Sequence, residues 1–500
     1  MLLMRPNNEK VTMAGQDARR FIILPTRGFL ATETTGGATQ NTLFALQHPG
    51  MVALQHAAAP ALNVKVLSSL HENGPKLVEI TELQAFTLRK NNPGLRIVPE
   101  VFYQIARAPQ VDVASGKTAF PSANLTKLNL TVVMKKGGAP VPDVHVVAFT
   151  SFAKRIGAEG NTNAKGQVSL SLPATTKKLE KVYLYAEHTA WPIIVRDLQV
   201  SAGPIGLPTI DLAFADTRVK ACAPFNAADG HGVKVGVLDT GCGPHSAIVV
   251  AKGVSAVFGD TDQDFTDTRG HGTHVAGVIA AHSPAFTGIA PGVTLNVYRV
   301  FPRSGKGASN FDIGNAIDLA VADGCDLLNL SLGGGPMDAV TDEAIKAARA
   351  KGTICVIAAG NDAGPVANPG AHPLAVCISA MGFKGAWPKG AVQDDDVTTP
   401  AGKFKTYIAA FSNTGPEIDL TGSGCGIMST YPKERFAVMD GTSMACPCAT
   451  GAIARLLAKA PAILGAARDA SRGDQIAKLA LAEAKDLSFP PLKQGAGLRT

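Results

Sequence analysis

The sequence predicts an α/β protein in which a mostly parallel sheet flanked by helices follows two smaller units. From residue 215 to residue 500, nearly continuous apolar runs alternate with helical patterns, as in a sheet covered on both faces. Residues 20–108 mix short strand and helix patterns, whereas residues 120–202 show strand patterns only. A chain of 500 residues also exceeds one ordinary domain, so several folding units are expected.

Composition excludes several classes of function. The net charge of +7 is spread along the chain, and no run of Lys or Arg suggests a nucleic-acid surface. No apolar stretch reaches the roughly eighteen residues needed to span a membrane. The start, MLLMRPNNEK, lacks the apolar core of a secretory signal. Residues 1–19 are predicted to be a flexible tail. We therefore expect a cytoplasmic protein, with export by another route left open.

Cysteine usage agrees with that expectation. Several of the eight cysteines stand inside apolar runs, such as Cys355 in TICVIAAG and Cys377 in LAVCISA. Without a secretory signal, the default is buried, reduced thiols rather than a disulfide framework.

The first unit, residues 20–108, is predicted to be a small α+β domain. FIILPTRGFL, VKVLSSL, KLVEI and LRIVPEVFY are typical of strands. ITELQAFTLRKNNPG predicts a helix, with Thr81 as its N-cap and Gln84 three residues later. An antiparallel sheet with helices on one face would satisfy this pattern.

The second unit, residues 120–202, is predicted to be a β-sandwich. LNLTVVMKK, DVHVVAFT, GQVSLSLP and KVYLYAE alternate apolar with polar residues, and turn clusters separate them. The Pro- and Gly-containing segment SAGPIGLPTI is interpreted as the linker to the third unit. That unit, residues 215–500, opens with the apolar strand pattern VKVGVLDT.

Four short segments of the third unit carry residues suited to acyl transfer. VGVLDTG presents Asp239, GHGTHVAG presents His271, VIAAGND presents Asn361, and DGTSMACP presents Ser443. Each lies at a strand end or a helix start, where sites of open α/β sheets are found. A serine needs an imidazole to accept its proton, and a carboxylate orients that imidazole. An amide side chain and a backbone N–H can stabilise the developing oxyanion.

VKVGVLDTG, HGTHVAG, SLGG, AAGN and GTSMACP, in this order, resemble the signature segments of the subtilisin-like serine proteases (subtilases, peptidase family S8). The resemblance covers about residues 216–500. It implies a serine endopeptidase with the triad Asp239, His271 and Ser443. It also implies an oxyanion hole made by Asn361 and the backbone N–H of Ser443.

The resemblance also implies how substrate binds. An extended protein or peptide segment would lie as a strand between two chain edges, since main-chain hydrogen bonds give affinity and pockets give selectivity. The implied edge residues are Ser331, Leu332, Gly333 and Gly334 on one side and Gly305, Lys306 and Gly307 on the other.

Residues 20–108 resemble the inhibitor-type propeptide of the family, whose tail stays in the cleft. This implies a self-inhibited precursor, and LRIVPEVFYQIAR stands where that tail would lie, with a cut near Arg107. By pattern, residues 120–202 resemble carboxypeptidase regulatory-like or transthyretin-like modules.

The chain departs from the family in four places. CGPHSAI lacks an acidic calcium ligand after Asp239, and AHSPAFTGIAP is too short for the family's strong calcium loop, so we expect no cofactor, with bound calcium left open. Cys448 replaces a more usual histidine and is interpreted as a packing residue. Residues 383–409 are longer than the family's minimal loop. They either border the leaving-group side of the cleft or form a surface insertion, and we favour the second.

The same segments allow other interpretations. DTG is also the aspartic-protease motif, but that reading needs a second such carboxylate or a homodimer, and no second D-T/S-G occurs. His271 and His274 lack the spacing and the glutamate of a zinc protease, so His274 is predicted to be a structural hydrogen-bonding residue. Cys446 is interpreted as a buried small residue. Asp362 either favours basic substrate side chains or is simply solvated.

A different class of function is a catalytically locked scaffold whose β-sandwich binds a partner. The presence of Asp239, His271, Asn361 and Ser443 together argues against it, because a scaffold has no chemical need for them. Cleavage of an unfolded substrate after loss of the N-terminal region would discriminate the two.

Overall fold

The structure is a computed structural model that describes residues 17–25, 42–43, 46, 64–71, 74–113, 124–186, 188–305 and 307–500. The chain divides into two compact units. Among the described residues, the first contains those up to Val101 together with the short stretches Ser309–Asn315 and Asp338–Thr341, and the second contains the others. Most of the predicted flexible tail, residues 1–16, lies outside the described residues.

The first unit contains a four-stranded antiparallel sheet in the order β2-β3-β1-β4. Its elements are β1 (Arg19–Pro25), β2 (Lys65–Ser69), β3 (Lys76–Ile80), α1 (Glu82–Asn91) and β4 (Leu95–Pro99). Helix α1 begins with the predicted capping box: Gln84 N–H donates to Thr81 Oγ1, and Thr81 N–H donates to Gln84 Oε1. The helix buries Ala85 and Leu88 in the apolar cluster that also contains Phe21 and Ile97.

The prediction of one strand through LRIVPEVFY is wrong. Strand β4 ends at Pro99, and a separate strand, β5 (Phe102–Ile105), follows in the second unit. Proline has no N–H to donate to a ladder, which favours a strand end there. Val101 then bonds to Asn310 within the first unit, through its N–H to Oδ1 at 3.2 Å and its carbonyl to the backbone N–H at 2.9 Å.

Residues 124–207, here called the two-sheet region, belong to the second unit. One sheet has the order β11-β10-β7-β8 and the other β12-β6-β9. The strands are β6 (Leu125–Met134), β7 (His145–Ser151), β8 (Ile156–Asn161), β9 (Gln167–Pro173), β10 (Lys178–Tyr185), β11 (Ile193–Gln199) and β12 (Ile205–Leu207). Apolar side chains of both sheets, among them Val132, Val146 and Leu184, form one buried cluster.

The interpretation of SAGPIGLPTI as a linker is wrong for its middle part. Ile205–Leu207 forms strand β12, which pairs in parallel with Val132–Met134 of β6. Ile205 and Leu207 are buried while Gly206 is not, so three residues suffice to cover one edge of the apolar cluster. The pattern was too short to be distinguished from a loop.

The rest of the second unit contains an eight-stranded, mostly parallel sheet, as predicted. Its main path is β14-β15-β13-β17-β19-β20-β21, and β22 also pairs with β20; only β21 is antiparallel. The remaining strands of the chain are β13 (Lys234–Asp239), β14 (Lys252–Ser255), β15 (Thr294–Arg299), β16 (Ala308–Ser309), β17 (Leu327–Leu330), β18 (Leu332–Gly333), β19 (Ile354–Ala358), β20 (Val376–Phe383), β21 (Thr406–Ile408), β22 (Leu420–Ser423), β23 (Ile427–Tyr431) and β24 (Arg435–Met439).

Further helices alternate with these strands along the sequence. They are α2 (Thr217–Cys222), α3 (His271–Ala280), α4 (Asn310–Ala322), α5 (Ala339–Ala350), α6 (Thr442–Ala458), α7 (Pro461–Leu464), α8 (Ala470–Leu481) and α9 (Pro491–Gln494), with 3-10 turns at Val392–Asp396 and Lys403–Lys405. Every residue of α3 is buried, and α6 is buried over most of its length. Among the described helices, none is long and apolar enough to cross a bilayer.

All eight cysteines are unpaired and buried, as predicted. Burial in apolar surroundings raises the pKa of the Cys446 thiol, whose Sγ lies 3.2 Å from the Val356 carbonyl. A thiol with a raised pKa is a poor nucleophile, so Cys446 serves as a small packing residue next to Ser443 in sequence.

Candidate active site

The predicted catalytic side chains stand at the ends of core elements. Asp239 is the last residue of β13, and His271 is the first residue of α3. Asn361 follows β19, and Ser443 is the second residue of α6. All four are buried. The sheet therefore sets the position of Asp239, and the first turns of the deeply buried helices α3 and α6 set those of His271 and Ser443.

Asp239 and His271 form a direct pair. His271 Nδ1 lies 2.7 Å from Asp239 Oδ1, which also accepts the Thr240 N–H at 2.7 Å. A carboxylate at Nδ1 holds the proton on that nitrogen and leaves Nε2 as the basic atom. No described group forms a hydrogen bond with His271 Nε2. The imidazole is thus oriented and available to accept a proton.

The sequence analysis missed Asp267, which positions His271. The Asp267 carboxylate is buried and accepts the backbone N–H groups of Arg269, Gly270 and Thr273 and the hydroxyls of Thr240 and Thr273. The hydroxyl of Thr240 also accepts the Gly272 N–H. These bonds satisfy the N–H groups of Gly270, Gly272 and Thr273 at the start of α3. The signal was present, because an aspartate precedes the helix start in DTRGHG.

Gly270 begins α3 in a left-handed conformation, with φ at 83°. A Cβ at this position would lie 2.0 Å from the Tyr431 ring. Only glycine combines this backbone angle with so close an aromatic neighbour, and it therefore sets where His271 emerges from the chain.

Ser443 is held by a reciprocal contact with Ser331. Ser443 Oγ donates to the Ser331 carbonyl at 3.0 Å, and Ser331 Oγ donates to the Ser443 carbonyl at 2.9 Å. The Ser443 hydroxyl therefore donates away from His271 in this arrangement. Rotation about the Cα–Cβ bond would have to release it before His271 could take its proton.

Asn361 is fixed through its carbonyl oxygen. Asn361 Oδ1 accepts the Thr442 backbone N–H at 2.8 Å and the Thr442 hydroxyl at 3.1 Å. The Asn361 Nδ2 atom is buried and has no partner among the described groups. An unsatisfied buried donor is costly, and such donors are common where charge develops during a reaction.

A segment of the chain's own backbone, Phe102–Ala108, occupies this site. Strand β5 pairs antiparallel with β18, placing Ile105 opposite Leu332 and Gln104 opposite Gly333. The Ala106 N–H then donates to the Ser331 carbonyl at 3.2 Å. The Ala106 carbonyl accepts the Ser443 N–H at 3.1 Å.

The other predicted edge residues differ in what they contact. A Cβ on Gly307 would lie 2.5 Å from the Tyr103 carbonyl, so the segment runs close against it. Gly334 has φ at 84°, and neither Gly334 nor Gly305 has a neighbour within 4 Å of an added Cβ. Lys306 lies outside the described residues. Asp362 is exposed, and its backbone N–H is held by Asn413 Oδ1.

His274 is a buried hydrogen-bonding residue, as predicted. His274 Nε2 lies 3.0 Å from the Ile427 carbonyl. Burial lowers the pKa of His274 to about 3, so the ring is neutral near pH 7. Within the described part of the chain, no three His, Cys, Asp or Glu side chains group as metal ligands.

Residues 383–409 do not form a detached surface insertion. Their backbone bonds to the two-sheet region through Ile194 N–H to the Gly390 carbonyl at 2.8 Å and Val392 N–H to the Pro192 carbonyl at 3.1 Å. Val392 joins an apolar cluster with Phe149 and Tyr185. The interpretation favoured from length alone is therefore corrected, because strand edges and apolar side chains of two regions satisfy one another.

The comparisons with known proteins agree with this geometry. The profile of the subtilase family matches residues 230–497. Subtilisin DY of Bacillus licheniformis is 33% identical over 263 residues, covering 52% of this chain and 86% of that protein. Subtilisin Savinase of Lederbergia lenta is 34% identical over 249 residues, covering 49% and 84%. An intracellular serine protease of Paenibacillus polymyxa is 31% identical over 315 residues, covering 62% and 88%. The chain belongs to the subtilase family and is a subtilisin-type serine endopeptidase.

Proposed function

We propose that this endopeptidase is made as a self-inhibited precursor that cleaves its own Ala106–Arg107 peptide bond. The observation that carries the proposal is the bond from the Ser443 N–H to the Ala106 carbonyl at 3.1 Å. An acyl-transfer site holds the carbonyl under attack by such a donor beside the nucleophile. This refines the cut expected near Arg107 to one bond, with Ala106 as the acyl residue and Arg107 as the first residue of the leaving group.

The proposed reaction uses the four predicted side chains. Ser443 Oγ attacks the Ala106 carbonyl carbon while His271 Nε2 takes the hydroxyl proton, and Asp239 stabilises the imidazolium. The Ser443 N–H and Asn361 Nδ2 donate to the oxyanion. The C–N bond then breaks, and His271 returns the proton to the amine of Arg107. Water hydrolyses the ester between Ala106 and Ser443 by the same proton transfers in reverse.

In this proposal, the chain edge that holds the segment accounts both for inhibition and for the preference for extended substrates. The backbone of Gln104–Ala106 uses Ser331 and β18 as an extended substrate would, through main-chain bonds. Residues 20–108, which contain this segment, therefore act in the proposal as an intramolecular inhibitor. Substrates are extended or unfolded protein segments that replace it after release.

Intact-mass analysis over time tests this proposal. The wild-type chain is expected to yield a fragment that starts at Arg107, whereas Ser443→Ala stays whole. Ser423→Ala, at another buried serine, is the matched control and should process like the wild type. Thermal melts verify that each variant is folded. Processing by a clean Ser443→Ala preparation would refute the role of Ser443, and a different new N-terminus would refute the bond assignment.

The scaffold alternative is favoured by one observation, the Ser443 hydroxyl bonded to the Ser331 carbonyl rather than to His271. If wild type and Ser443→Ala both stay whole, and neither cleaves unfolded casein after limited removal of the N-terminal unit, the locked scaffold explains the protein better. Casein cleavage that depends on Ser443 eliminates it.

We also propose that catalysis needs no bound metal or other cofactor. Ser246, which lies in the CGPHSAI segment without an acidic side chain, donates to Glu434 through both its N–H and its hydroxyl. Dialysis against EDTA is expected to leave processing unchanged, and restoration of lost activity by added calcium would refute this.

A further inference from the structure

A cavity of about 490 Å³ lies beyond the Ala106 carbonyl, on the side of the leaving group. Three parts of the second unit form its walls: the two-sheet region, the insertion at residues 383–409, and the strand that leads to Ser443. The wall residues that matter here are Tyr183, Tyr185, Asp395, Asp396, Phe411 and Asp440.

Asp395 joins two of these walls. Its carboxylate accepts the Tyr183 hydroxyl at 2.6 Å, Lys181 Nζ at 2.9 Å and Arg196 Nη2 at 2.5 Å. Burial alone would raise the pKa of Asp395, but the bonds from Tyr183 and Lys181 outweigh it and lower the pKa. The charge of Asp395 is thus already matched by two cations of the two-sheet region. Hydrogen bonds between charged groups and apolar packing both hold the walls of the cavity, so the cavity is a defined feature of the fold.

The chain's own segment shows how a peptide fits this cavity. Residues 107–111 line it, directly after the carbonyl held by Ser443. The Ala108 N–H donates to the Asp440 carbonyl at 3.0 Å, and the Val111 N–H donates to the Tyr185 hydroxyl at 3.0 Å. A Cβ on Gly441 would lie 3.2 Å from Arg107 Cα, so the backbone passes close against this turn.

Besides Asp395, two further carboxylates share the cavity with Arg107, those of Asp396 and Asp440. Among the described groups, the Asp440 carboxylate accepts hydrogen bonds from neutral donors alone, the Gly426 N–H at 2.6 Å and Gln393 Nε2 at 2.7 Å. Among the described groups, none donates a hydrogen bond to the Asp396 carboxylate, and no lysine or arginine forms an ion pair with either residue. These two carboxylates therefore lack the cationic partners that Asp395 has.

Burial makes ionisation of this pair costly when no cation is near. It raises the pKa of Asp440 to about 6, although the bonds from Gly426 and Gln393 and the charge of Arg107 act in the opposite direction. Burial and the charges of Asp440 and Asp395 also raise the pKa of Asp396 well above its usual range. A basic side chain in the cavity would relieve that cost, whereas an acidic one would add to it.

We propose that this cavity is a substrate subsite for the residues that follow the scissile bond, and that Asp440 and Asp396 select a basic side chain at the first of them. The inference rests on the proposed cleavage between Ala106 and Arg107. It assigns the two-sheet region a role in substrate binding, through Tyr185 and the wall held by Asp395. Internal peptide bonds followed by Arg or Lys are the predicted substrate class.

Quenched fluorescent peptides copied from residues 102–111 test the proposal, with Arg, Lys, Ala or Glu at the position of Arg107. We expect the purified full chain, after processing, to cleave the Arg peptide with a kcat/KM roughly tenfold or more above that of the Ala peptide, because the positive charge at this position offsets the negative charge of the buried carboxylates. The Lys peptide should follow Arg, and the Glu peptide should be the poorest. Mass analysis confirms that the same bond is cut.

Asp440→Asn should lower the Arg-to-Ala ratio to nearly one. The local geometry should survive the loss of charge, since Gln393 Oε1 has no partner in the described part of the chain and a flipped amide could accept from Asn at this position. Asp396→Asn is the second variant, in case the first fails to fold. Asp394→Asn is the matched control, because Asp394 belongs to the same turn but bonds to Trp387 Nε1 and does not line the cavity.

The outcomes separate this inference from the proposed function. An Arg-to-Ala ratio near one in the wild type, or a ratio unchanged in both Asp440→Asn and Asp396→Asn, overturns the inference while leaving the peptidase assignment intact. If no peptide is cut in a Ser443-dependent manner, the proposed function fails and the inference fails with it. A high ratio that falls in Asp440→Asn but not in Asp394→Asn supports it.

Discussion

The backbone around the Ala106 carbonyl is held in different ways on its two sides. Before the carbonyl, β5 pairs with β18, and the Ala106 N–H bonds to the Ser331 carbonyl, so main-chain atoms make the ladder. The Gln104 side chain is exposed, although the Tyr103 ring is buried against Gly335. After the carbonyl, the chain enters a cavity walled by aromatic and acidic side chains.

This difference separates affinity from selectivity. Every residue except proline offers the same N–H and C=O, so a strand-like edge accepts many sequences. Side chains such as Asp440 and Asp396 discriminate by charge, because the wrong partner leaves a buried carboxylate without compensation. We therefore expect changes before the scissile bond to act through main-chain atoms and changes after it to act through side chains.

The largest expected effect is on the rate of the chemical step at the Ala106 carbonyl, which lies between the two sides. Asp239→Asn should lower the rate of self-cleavage by about 10⁴-fold, because the imidazole loses the partner that holds its tautomer. Intact-mass time courses measure it. Asp474→Asn, at an exposed carboxylate, is the control and should process normally. A loss below about tenfold would contradict the assignment.

Asn361→Ala should lower the rate by roughly 10²–10³-fold, because one donor to the oxyanion is removed. Both sides of the cleft should keep their binding, so kcat should fall while KM for a quenched peptide stays near its wild-type value. Asn226→Ala, at an exposed asparagine, serves as control. A rise in KM with unchanged kcat would point to substrate positioning instead.

On the side before the scissile bond, a peptide with an ester in place of the amide N–H equivalent to that of Ala106 should lose roughly tenfold in kcat/KM. The bond to the Ser331 carbonyl is then missing. Replacing the residue equivalent to Gln104 by Ala or Glu should change kcat/KM by no more than about twofold, since that side chain is exposed. A larger loss of kcat/KM from the side-chain replacement than from the ester would contradict the expectation that main-chain atoms dominate on this side.

On the side after the scissile bond, selectivity should depend on pH. The raised pKa of Asp440, about 6, means that its carboxylate is charged above that pH and neutral below it. The Arg-to-Ala ratio should therefore fall a few-fold as pH drops from about 7.5 to about 5. Asp395, Asp396, Lys181 and Arg107 share the cavity with Asp440. A ratio that is constant with pH would exclude Asp440 as the selecting group.

The smallest effect is expected for Tyr185→Phe. It removes the hydroxyl that accepts the Val111 N–H and leaves the ring in its apolar cluster. We expect a loss of about fivefold or less in kcat/KM for peptides that reach this position, and none for shorter ones. Equal losses for long and short peptides would show that the variant perturbs the fold rather than the subsite.

The sequence by itself determined the elements whose signals are local. The strand VKVGVLDT, the capping box of Thr81 and Gln84, the buried cysteines and the α/β class follow from periodicity and short-range hydrogen bonding. The ordered motifs, through the family resemblance, also predict that Asp239 and His271 lie together, and the 2.7 Å contact between them agrees.

Tertiary structure alone decided what depends on partners distant in the chain. Strand β12 exists because β6 offers an edge, and Asp395 meets Lys181 and Arg196 across about two hundred residues of sequence. The insertion at residues 383–409 has no periodicity that indicates its contacts with the two-sheet region. A charge or a short strand carries little information until its neighbour is known, because its energy comes from pairing and burial rather than from its own backbone preference.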